Sequence, residues 1–390
     1  MLAFKLAIKN LIGAGLRTWL NVFVLSLALV MIVFQSGIIH GWDVQARIDT
    51  TEWAIGGGEY WHDNYDPYDP LTLDDGHGLL PPELSGLYND GQAAPVLVTQ
   101  ASVYPEGRMR NIILKGIDPD QKIIKLPSSQ MAGDTSVINA LIGTRMANAT
   151  KLNKDDLVAV RWRDENGTFD ATEIRIAGIF RTNVPEIDNN QIWIPLDRLR
   201  KITGLEDNAT YVILKQGITS IPTVPGWIFK DRDSLLSDIE SIIKAKSIGG
   251  IVMYIILLSL ALLAVFDTQV LSIFRREKEI GTYIALGMTR WQVVRLFTVE
   301  GAMHSVLSIF AAAIWGTPLL FLVAKYGFAM PKATEGYGLT IAEKIFPVYA
   351  LGTIIVMTLI ILITTTIVSF IPSRKIAGMN PTEALRGKVQ

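Results

Sequence analysis

Four apolar runs, each long enough to cross a lipid bilayer as a helix, limit what this chain can fold into. We predict spanning helices at 18–40, 247–274, 298–323 and 346–371, because about 20 apolar residues in a helix cover the hydrocarbon core. Only the first two runs are separated by a long polar segment, residues 41–246. The predicted fold is therefore membrane α-helical, with four transmembrane helices and a large α+β extracytoplasmic domain between helices 1 and 2.

Charge divides the chain in the same way. Residues 41–246 contain 21 lysines and arginines and 30 aspartates and glutamates, a net charge of −9, whereas the rest of the chain carries +8. The acidic balance of this segment disfavours a nucleic-acid surface. The chain has no cysteine, which excludes disulfides, thiolate metal sites and cysteine nucleophiles.

The basic residues also predict an orientation. They cluster before the first run, between the second and third, and after the fourth. The positive-inside rule then puts both termini in the cytoplasm and residues 41–246 outside. The remaining segments are an amphipathic helix on the cytoplasmic face, a cytoplasmic elbow, a periplasmic loop and a cytoplasmic tail: 1–17, 275–297, 324–345 and 372–390. A signal peptide is the alternative for the first of these, but the apolar run after it is too long.

The elbow has the local signals of two short helices joined by a tight turn. Its first part places four residues on one helical face: Ile280, Tyr283, Ile284 and Gly287. Gly287 suits a helix end, and Thr289 with Gln292 forms a capping-box pattern for a second helix from Arg290. The alternative is a connecting loop whose positive charges only set the topology.

The third apolar run carries small and polar residues every four positions: Glu300, His304, Ser308, Ala312 and Gly316. Such a stripe favours contact between helices over contact with lipid. Glu300 and His304 are ionisable, and such residues within a membrane are usually functional. A proton relay is one interpretation, and pairing near the membrane interface is the other.

The polar segment is predicted to mix strands and helices. Alternating apolar residues in 156–163 and 172–180, with Asn166-Gly167 between them, predict a β-hairpin. Residues 135–150 are predicted to be helical.

The stretch Tyr60–Gly78 is rich in carboxylates, histidines and aromatic residues. Its acidic spacing matches no calcium loop, so we expect no metal there. A solvated aromatic loop is the simplest interpretation. Alternatively, aromatic side chains such as Trp61, Tyr65 and Tyr68 contact an amphiphile or the membrane edge.

No enzyme motif is visible. The phosphate-binding pattern G-x-x-x-x-G-K-[ST] is absent, and so are G-x-S-x-G and H-E-x-x-H. We therefore expect no cofactor on this chain and no ATP hydrolysis by it.

Two segments resemble a known family. The elbow sequence RREKEIGTYIALGMTRWQVVRLFTVEG, residues 275–301, is similar to the signature segment of FtsX-like, MacB-type permeases of ABC transporters. The tail sequence IPSRKIAGMNPTEALRGK resembles the closing segment of that family. In the polar segment, residues 116–120, 142–160 and 176–204 resemble the external domain of the lipoprotein-releasing LolC/LolE branch.

The resemblance implies a permease of the bacterial inner membrane that transmits force and has residues 41–246 in the periplasm. Its partners would be a cytoplasmic ABC ATPase dimer holding ATP and Mg, a second permease subunit in a homodimer or heterodimer, membrane lipid, and a periplasmic chaperone or adaptor. The implied activity is extraction of lipoprotein, or a similar amphiphile, from the outer leaflet of the inner membrane. Alternatives within the family are a MacB-like exporter of a peptide or small molecule and an FtsX-like signal relay to a cell-wall hydrolase.

The resemblance also implies two sets of site residues. The ATPase would contact the elbow and tail at Glu279, Gly281, Ala285, Leu286, Gly287, Thr289, Arg290, Arg374, Pro381, Glu383 and Arg386. The substrate cavity would lie between the first two membrane helices and be lined by Ser26, Leu29, Val33, Val252 and Ile256.

Overall fold

The computed structural model describes residues 16–133, 136–218, 221–329 and 344–378. The chain forms two compact units, which we call the membrane unit (residues up to 42, 243–329 and from 344 onward) and the head (43–242). Most of the predicted amphipathic segment 1–17 and the end of the tail lie outside the described residues.

Four helices in the described part of the chain are long and apolar enough to cross a membrane. Their bounds are Leu16–Thr50, Ser237–Arg275, Arg290–Ala311 extended through a π-helical turn into Thr317–Tyr326, and Leu351–Ser373. The predicted fold class is confirmed.

The four helices differ from the predicted spans: the first runs ten residues further, to Thr50, and the second begins ten residues earlier, at Ser237. The third membrane helix begins at Arg290, so the second elbow helix is its first turns rather than a separate element. The fourth begins only at Leu351, because Pro347 has no N–H to donate and the N–H of Val348 donates instead to the carbonyl of Gly37, 3.0 Å away. Ile345, just before, pairs with Phe328 in a short antiparallel ladder.

All four membrane helices contribute to one buried apolar cluster. It contains Leu25 from the first helix, Val265 from the second, Ala312 from the third and Ile361 from the fourth. The predicted polar stripe of the third helix, from Glu300 to Gly316, is buried within this unit, so its expected role in helix contact is met.

Gly37 and Gly41 let the first helix approach the segment before the fourth. A Cβ added at Gly41 would overlap the carbonyl oxygen of Phe346, and one at Gly37 would overlap the ring of Tyr349. Glycine at both positions therefore permits a close backbone approach.

The head is built on a nine-stranded sheet with the order β11-β1-β10-β3-β4-β8-β5-β7-β6. Its strands are β1 Gly58–His62, β3 Ala93–Val103, β4 Arg110–Ile117, β5 Ile138–Gly143, β6 Leu157–Arg163, β7 Phe169–Phe180, β8 Gln191–Pro195, β10 Tyr211–Leu214 and β11 Trp227–Asp231. The short strands β2 (Gly78–Leu79) and β9 (Asn208–Ala209) form a separate ladder. The head helices are Pro82–Asn89, Thr144–Thr150, Pro185–Asp188, Leu196–Thr203 and Arg232–Leu235.

Strand β3 belongs to two parts of this sheet. Its first half pairs with β10, and Ala101 to Val103 pair with β6. The second pairing closes β3-β4-β8-β5-β7-β6 into a barrel, and the first attaches the open extension β10-β1-β11. Strand β6 alternates between exposed and buried residues, as one face of a barrel wall requires.

The predicted helix at 135–150 is wrong in its first half. Residues Ile138–Gly143 form β5, which pairs parallel with β7 and antiparallel with β8. A strand buried on both faces is a continuous apolar run, and periodicity alone does not separate it from a buried helix.

Candidate coupling site

The elbow is a helix, a tight turn and the start of the third membrane helix. The first helix spans Glu277–Ala285, and Gly287 after it has φ +98°, a conformation that favours glycine. Thr289 then caps the next helix. Its side chain accepts from the N–H of Gln292, whose own side chain accepts from the N–H of Thr289. This capping box is as predicted, and it fixes the angle of the turn.

A small apolar core supports the elbow. Ile280 from the first elbow helix packs with Val293 and Phe297 from the next helix. Ile376, from the 3₁₀ helix Arg374–Gly378, completes the cluster. The elbow and the start of the tail are therefore one packed body.

An ion-pair centre ties this body to the third membrane helix. The Arg276 guanidinium donates to both carboxylate oxygens of Glu300, at 2.8 and 3.0 Å, and to Glu279 at 2.7 Å. Its guanidinium carbon also lies 4.8 Å from the centre of the Phe297 ring, within cation–π range. Of the two interpretations of Glu300, this geometry corresponds to pairing.

Two large apolar side chains are exposed at the turn of the elbow. Leu286 is 79% exposed and Trp291 60% exposed. Arg290 donates to the carbonyl of Ala377, 3.0 Å away, which fixes its side chain against the tail. We call residues 285–291 the elbow tip. A capped tip with two large exposed apolar side chains and one arginine held in place is suited to docking into another protein.

The described coupling residues fall into two groups. Those that are exposed are Glu279, Ala285, Leu286, Gly287, Thr289, Arg290 and Arg374. Gly281 is buried in the elbow and presents no surface. Pro381, Glu383 and Arg386 lie outside the described residues.

Two residues of this site were missed from the sequence. Trp291 follows the capping residue directly, and a large exposed aromatic residue at a helix start was a usable signal. Arg276 is separated from Glu300 by more than twenty positions, so no local spacing indicated their pairing.

The predicted substrate residues do not come together. Ser26, Leu29 and Val33 are buried in the helix cluster of the membrane unit, and the indole N–H of Trp315 donates to the Ser26 hydroxyl at 3.2 Å. Val252 and Ile256 are about half exposed. The first three residues therefore pack within the membrane unit, and the substrate cavity stays a prediction. Because the first helix is apolar all round, its pattern could not separate the protein-facing side from the lipid-facing side.

The aromatic residues of the Tyr60–Gly78 stretch divide between two faces of the sheet. Tyr60 is buried and donates to the carbonyl of Pro222 at 2.6 Å. Trp61, Tyr65 and Tyr68 line a cavity over the opposite face. Among the residues that the structure describes, no group of three histidines and carboxylates could hold a metal.

Comparison with known proteins finds relatives among transporters. Residues 251–381, which contain the elbow, match the family described as FtsX-like permease C-terminal. The lipoprotein-releasing system transmembrane protein LolC of Neisseria meningitidis serogroup B is 23% identical over 75% of this chain and 77% of LolC. The macrolide export ATP-binding/permease protein MacB of Vibrio parahaemolyticus serotype O3:K6 is 22% identical over 54% of this chain and 33% of MacB.

A solved structure aligns with part of the chain. The periplasmic region of MacB from Actinobacillus actinomycetemcomitans covers 48% of this chain and 94% of its own length, with 11% identity and a TM-score of 0.33.

Proposed function

This chain carries an FtsX-like permease domain and is homologous to LolC and MacB, and we propose that it is the permease subunit of an ABC transporter that extracts lipoprotein or a similar amphiphile. ATP hydrolysis would occur in a separate subunit docked on the elbow tip. The observation that carries the proposal is the rigid elbow, with its capped turn and exposed Leu286 and Trp291, inside the matched permease segment.

The position of the elbow in the chain supports cytoplasmic docking. The chain is a membrane protein with a large extracellular domain, and one membrane helix, Ser237–Arg275, separates that domain from the elbow. One crossing puts the elbow on the opposite side of the membrane. An ATPase subunit there would meet the elbow tip, and both chain ends would share its compartment.

Contacts at the head ends of the first two long helices support the proposal that these helices transmit force to the head. Arg47, near the end of the first long helix, donates to Glu240 of the second at 2.6 Å. Asn183 of the head donates to Asp49 at 2.8 Å. The exposed Arg47–Glu240 pair contributes little stability, but together the two contacts link the two helix ends to each other and to the sheet domain. A shift of either helix would then reach the head directly.

Docking is tested by substituting the tip. The variant Leu286→Asp, co-expressed with the ATPase subunit, should lose co-purification, because a buried unpaired carboxylate opposes an apolar contact. The matched control Leu71→Asp makes the same change in the head, where Leu71 is 85% exposed, and should retain the partner. Equal recovery of the ATPase with both variants would refute docking at the tip.

The substrate is tested in proteoliposomes containing the chain and its ATPase. An acylated, fluorescent lipopeptide should leave the outer leaflet only when ATP and a soluble acceptor for acyl chains are both present. ATP-driven transport of a water-soluble peptide or macrolide, without lipopeptide release, would favour a MacB-like exporter. The homology to MacB is the observation that keeps this second function open.

A further inference from the structure

The head contains a cavity of about 580 Å³ over one face of its sheet. Pockets of this size hold drug-sized ligands. Its floor is a row of side chains on neighbouring strands, because residues opposite each other in a ladder share a face. Lys230 lies opposite Glu59, Trp61 opposite Tyr211, and Lys115 opposite Trp193.

The walls of the cavity are largely aromatic. Tyr65 stacks on Tyr211 with ring centres 5.9 Å apart, and Trp61 meets Tyr65 edge-on at 5.3 Å. Tyr68 and Leu235 also line the space. These side chains would shield the apolar part of a ligand, whether an acyl chain or a ring, from water on several sides.

Two lysines provide positive charge inside this aromatic surface. The Lys115 ammonium lies 5.1 Å from the Trp193 ring centre and 5.6 Å from that of Tyr211. The Lys230 ammonium lies 5.7 Å from the Trp61 ring centre. Lys115 and Lys230 both line the cavity.

The one carboxylate of the floor offsets these charges only in part. Glu59 is 7% exposed and accepts a hydrogen bond from the Trp61 indole at 2.5 Å. Burial raises the pKa of Glu59 to about 7, although the Trp61 hydrogen bond and the Lys115 charge both oppose the rise. The Tyr65 and Tyr211 phenols stay neutral, since burial raises the pKa of each. Near neutral pH the floor therefore carries a net positive charge.

We propose that this cavity binds an anionic amphiphile, with its carboxylate or phosphate held by Lys115 and Lys230 and its apolar body against the aromatic walls. Charge complementarity selects the anion, and the ring faces select the apolar body. The site lies in the head and involves no residue of the elbow, so it goes beyond the proposed function and stands or falls independently of ATPase docking.

The probe is a terminally brominated dodecanoate, added to the full chain in lipid nanodiscs. Bromine quenches tryptophan fluorescence on contact, and Trp61 and Trp193 line the cavity. The double variant Trp61→Phe/Trp193→Phe reports quenching from probe dissolved in the lipid, which is subtracted. We expect saturable quenching of the wild-type chain beyond this background. The brominated alcohol and the trimethylammonium analogue of the same chain length should give none.

Lysine variants test the anion contact. Lys115→Met should weaken binding of the probe about tenfold, the effect of losing one charged hydrogen bond, whereas Lys115→Arg should retain most of the affinity. The matched control Lys201→Met removes an exposed head lysine outside the cavity and should change nothing. Absence of saturable quenching, equal binding of the alcohol, or an unaltered affinity in Lys115→Met would each overturn the proposal. A phosphate-headed analogue that binds more tightly than dodecanoate would identify a phospholipid source.

A pH titration gives a second readout. Glu59 faces Lys230 across the ladder, Lys115 from β4, Tyr65 from the covering loop and Tyr211 from β10. Above pH 7 its carboxylate is ionised and repels the probe, so affinity should fall as the pH rises from 6 to 8. Glu59→Gln should remove this dependence. If the pH dependence of binding remained in Glu59→Gln, Glu59 would not be the group that changes the charge of the cavity floor.

Discussion

Arg276 is the most connected charged residue of the elbow. It contacts the carboxylates of Glu279 and Glu300 and the ring of Phe297, and so joins the first elbow helix to the third membrane helix. Both Arg276 and Glu300 are largely shielded from water. Removing Arg276 takes this cation away from the Glu300 carboxylate, whereas removing Glu300 leaves Arg276 its more exposed partner Glu279.

We expect Arg276→Met to lower the free energy of unfolding by about 3 kcal/mol, the loss typical of breaking one side of a shielded pair. Glu300→Gln should have a smaller effect, because Arg276 keeps its ion pair with Glu279. The double variant should lose clearly less stability than the sum of the two single losses, because each single variant already removes the same Arg276–Glu300 ion pair. Thermal unfolding in detergent measures all three. Full additivity would show that Arg276 and Glu300 have no interaction energy.

Glu59 makes the stability of the head depend on pH. Its folded-state pKa of about 7 lies above the ordinary value of 4.5, so the folded state binds the extra proton between these values. The contribution of Glu59 to stability is therefore fully present below pH 4.5 and is lost as the pH rises through 7, by about 3 kcal/mol in total.

Unfolding followed by tryptophan fluorescence between pH 5 and 8 tests this. Glu59→Gln should flatten the loss of stability with rising pH. Glu83→Gln, which changes an exposed head carboxyl, should leave the slope as it is. A slope that is the same in all three chains would mean that Glu59 is solvated.

At the scale of elements, neighbouring residues were sufficient to predict the structure where apolar and polar residues alternate or where the chain turns. The hairpin of β6 and β7 and the capped turn at Thr289 were predicted from neighbouring residues alone. Strand β5 was not, because a strand buried on both faces has no period. Strands β1 and β11 carry charged residues such as Glu59 and Lys230 on a buried face, a pattern that only the tertiary cavity explains.

The candidate sites divide in the same way. The elbow could be predicted because its geometry depends on caps and turns within a few residues. The substrate cavity between the first two membrane helices stays a prediction, because an all-apolar helix does not indicate which side meets protein. Contacts between distant residues, such as Arg276 with Glu300, were also beyond what local spacing could specify.

Three glycine substitutions test the close approach of the first membrane helix to the segment before the fourth. Gly41→Ala should destabilise the chain by about 1–3 kcal/mol, as over-packing does, because its Cβ meets the backbone of Phe346. Gly37→Ala should cost less, since the Tyr349 ring that it meets can rotate. Gly249→Ala, which enters open space in a helix, should be neutral or stabilising. Melting temperatures of the three variants in one detergent measure this order. A reversed order would contradict the close approach at Gly41.

At the scale of the whole molecule, an acidic head and a basic elbow are separated by one membrane helix. The natural absence of cysteine allows this sidedness to be measured with single introduced thiols. Leu71→Cys in the head should react with a membrane-impermeant maleimide added to spheroplasts. Leu286→Cys at the elbow tip should react only after the membrane is permeabilised. Equal labelling of both from outside would place the elbow and the head in one compartment.

Because the elbow tip is one continuous stretch of chain, its recognition surface can be copied apart from the protein. A cyclised peptide covering 284–291 would hold Leu286 and Trp291 beside the positive-φ turn at Gly287, and the ring would reduce the entropy lost on binding. If the elbow tip docks on the ATPase subunit as proposed, such a peptide would compete with the tip for that subunit. The ATPase subunit would then hydrolyse ATP without driving transport of the substrate.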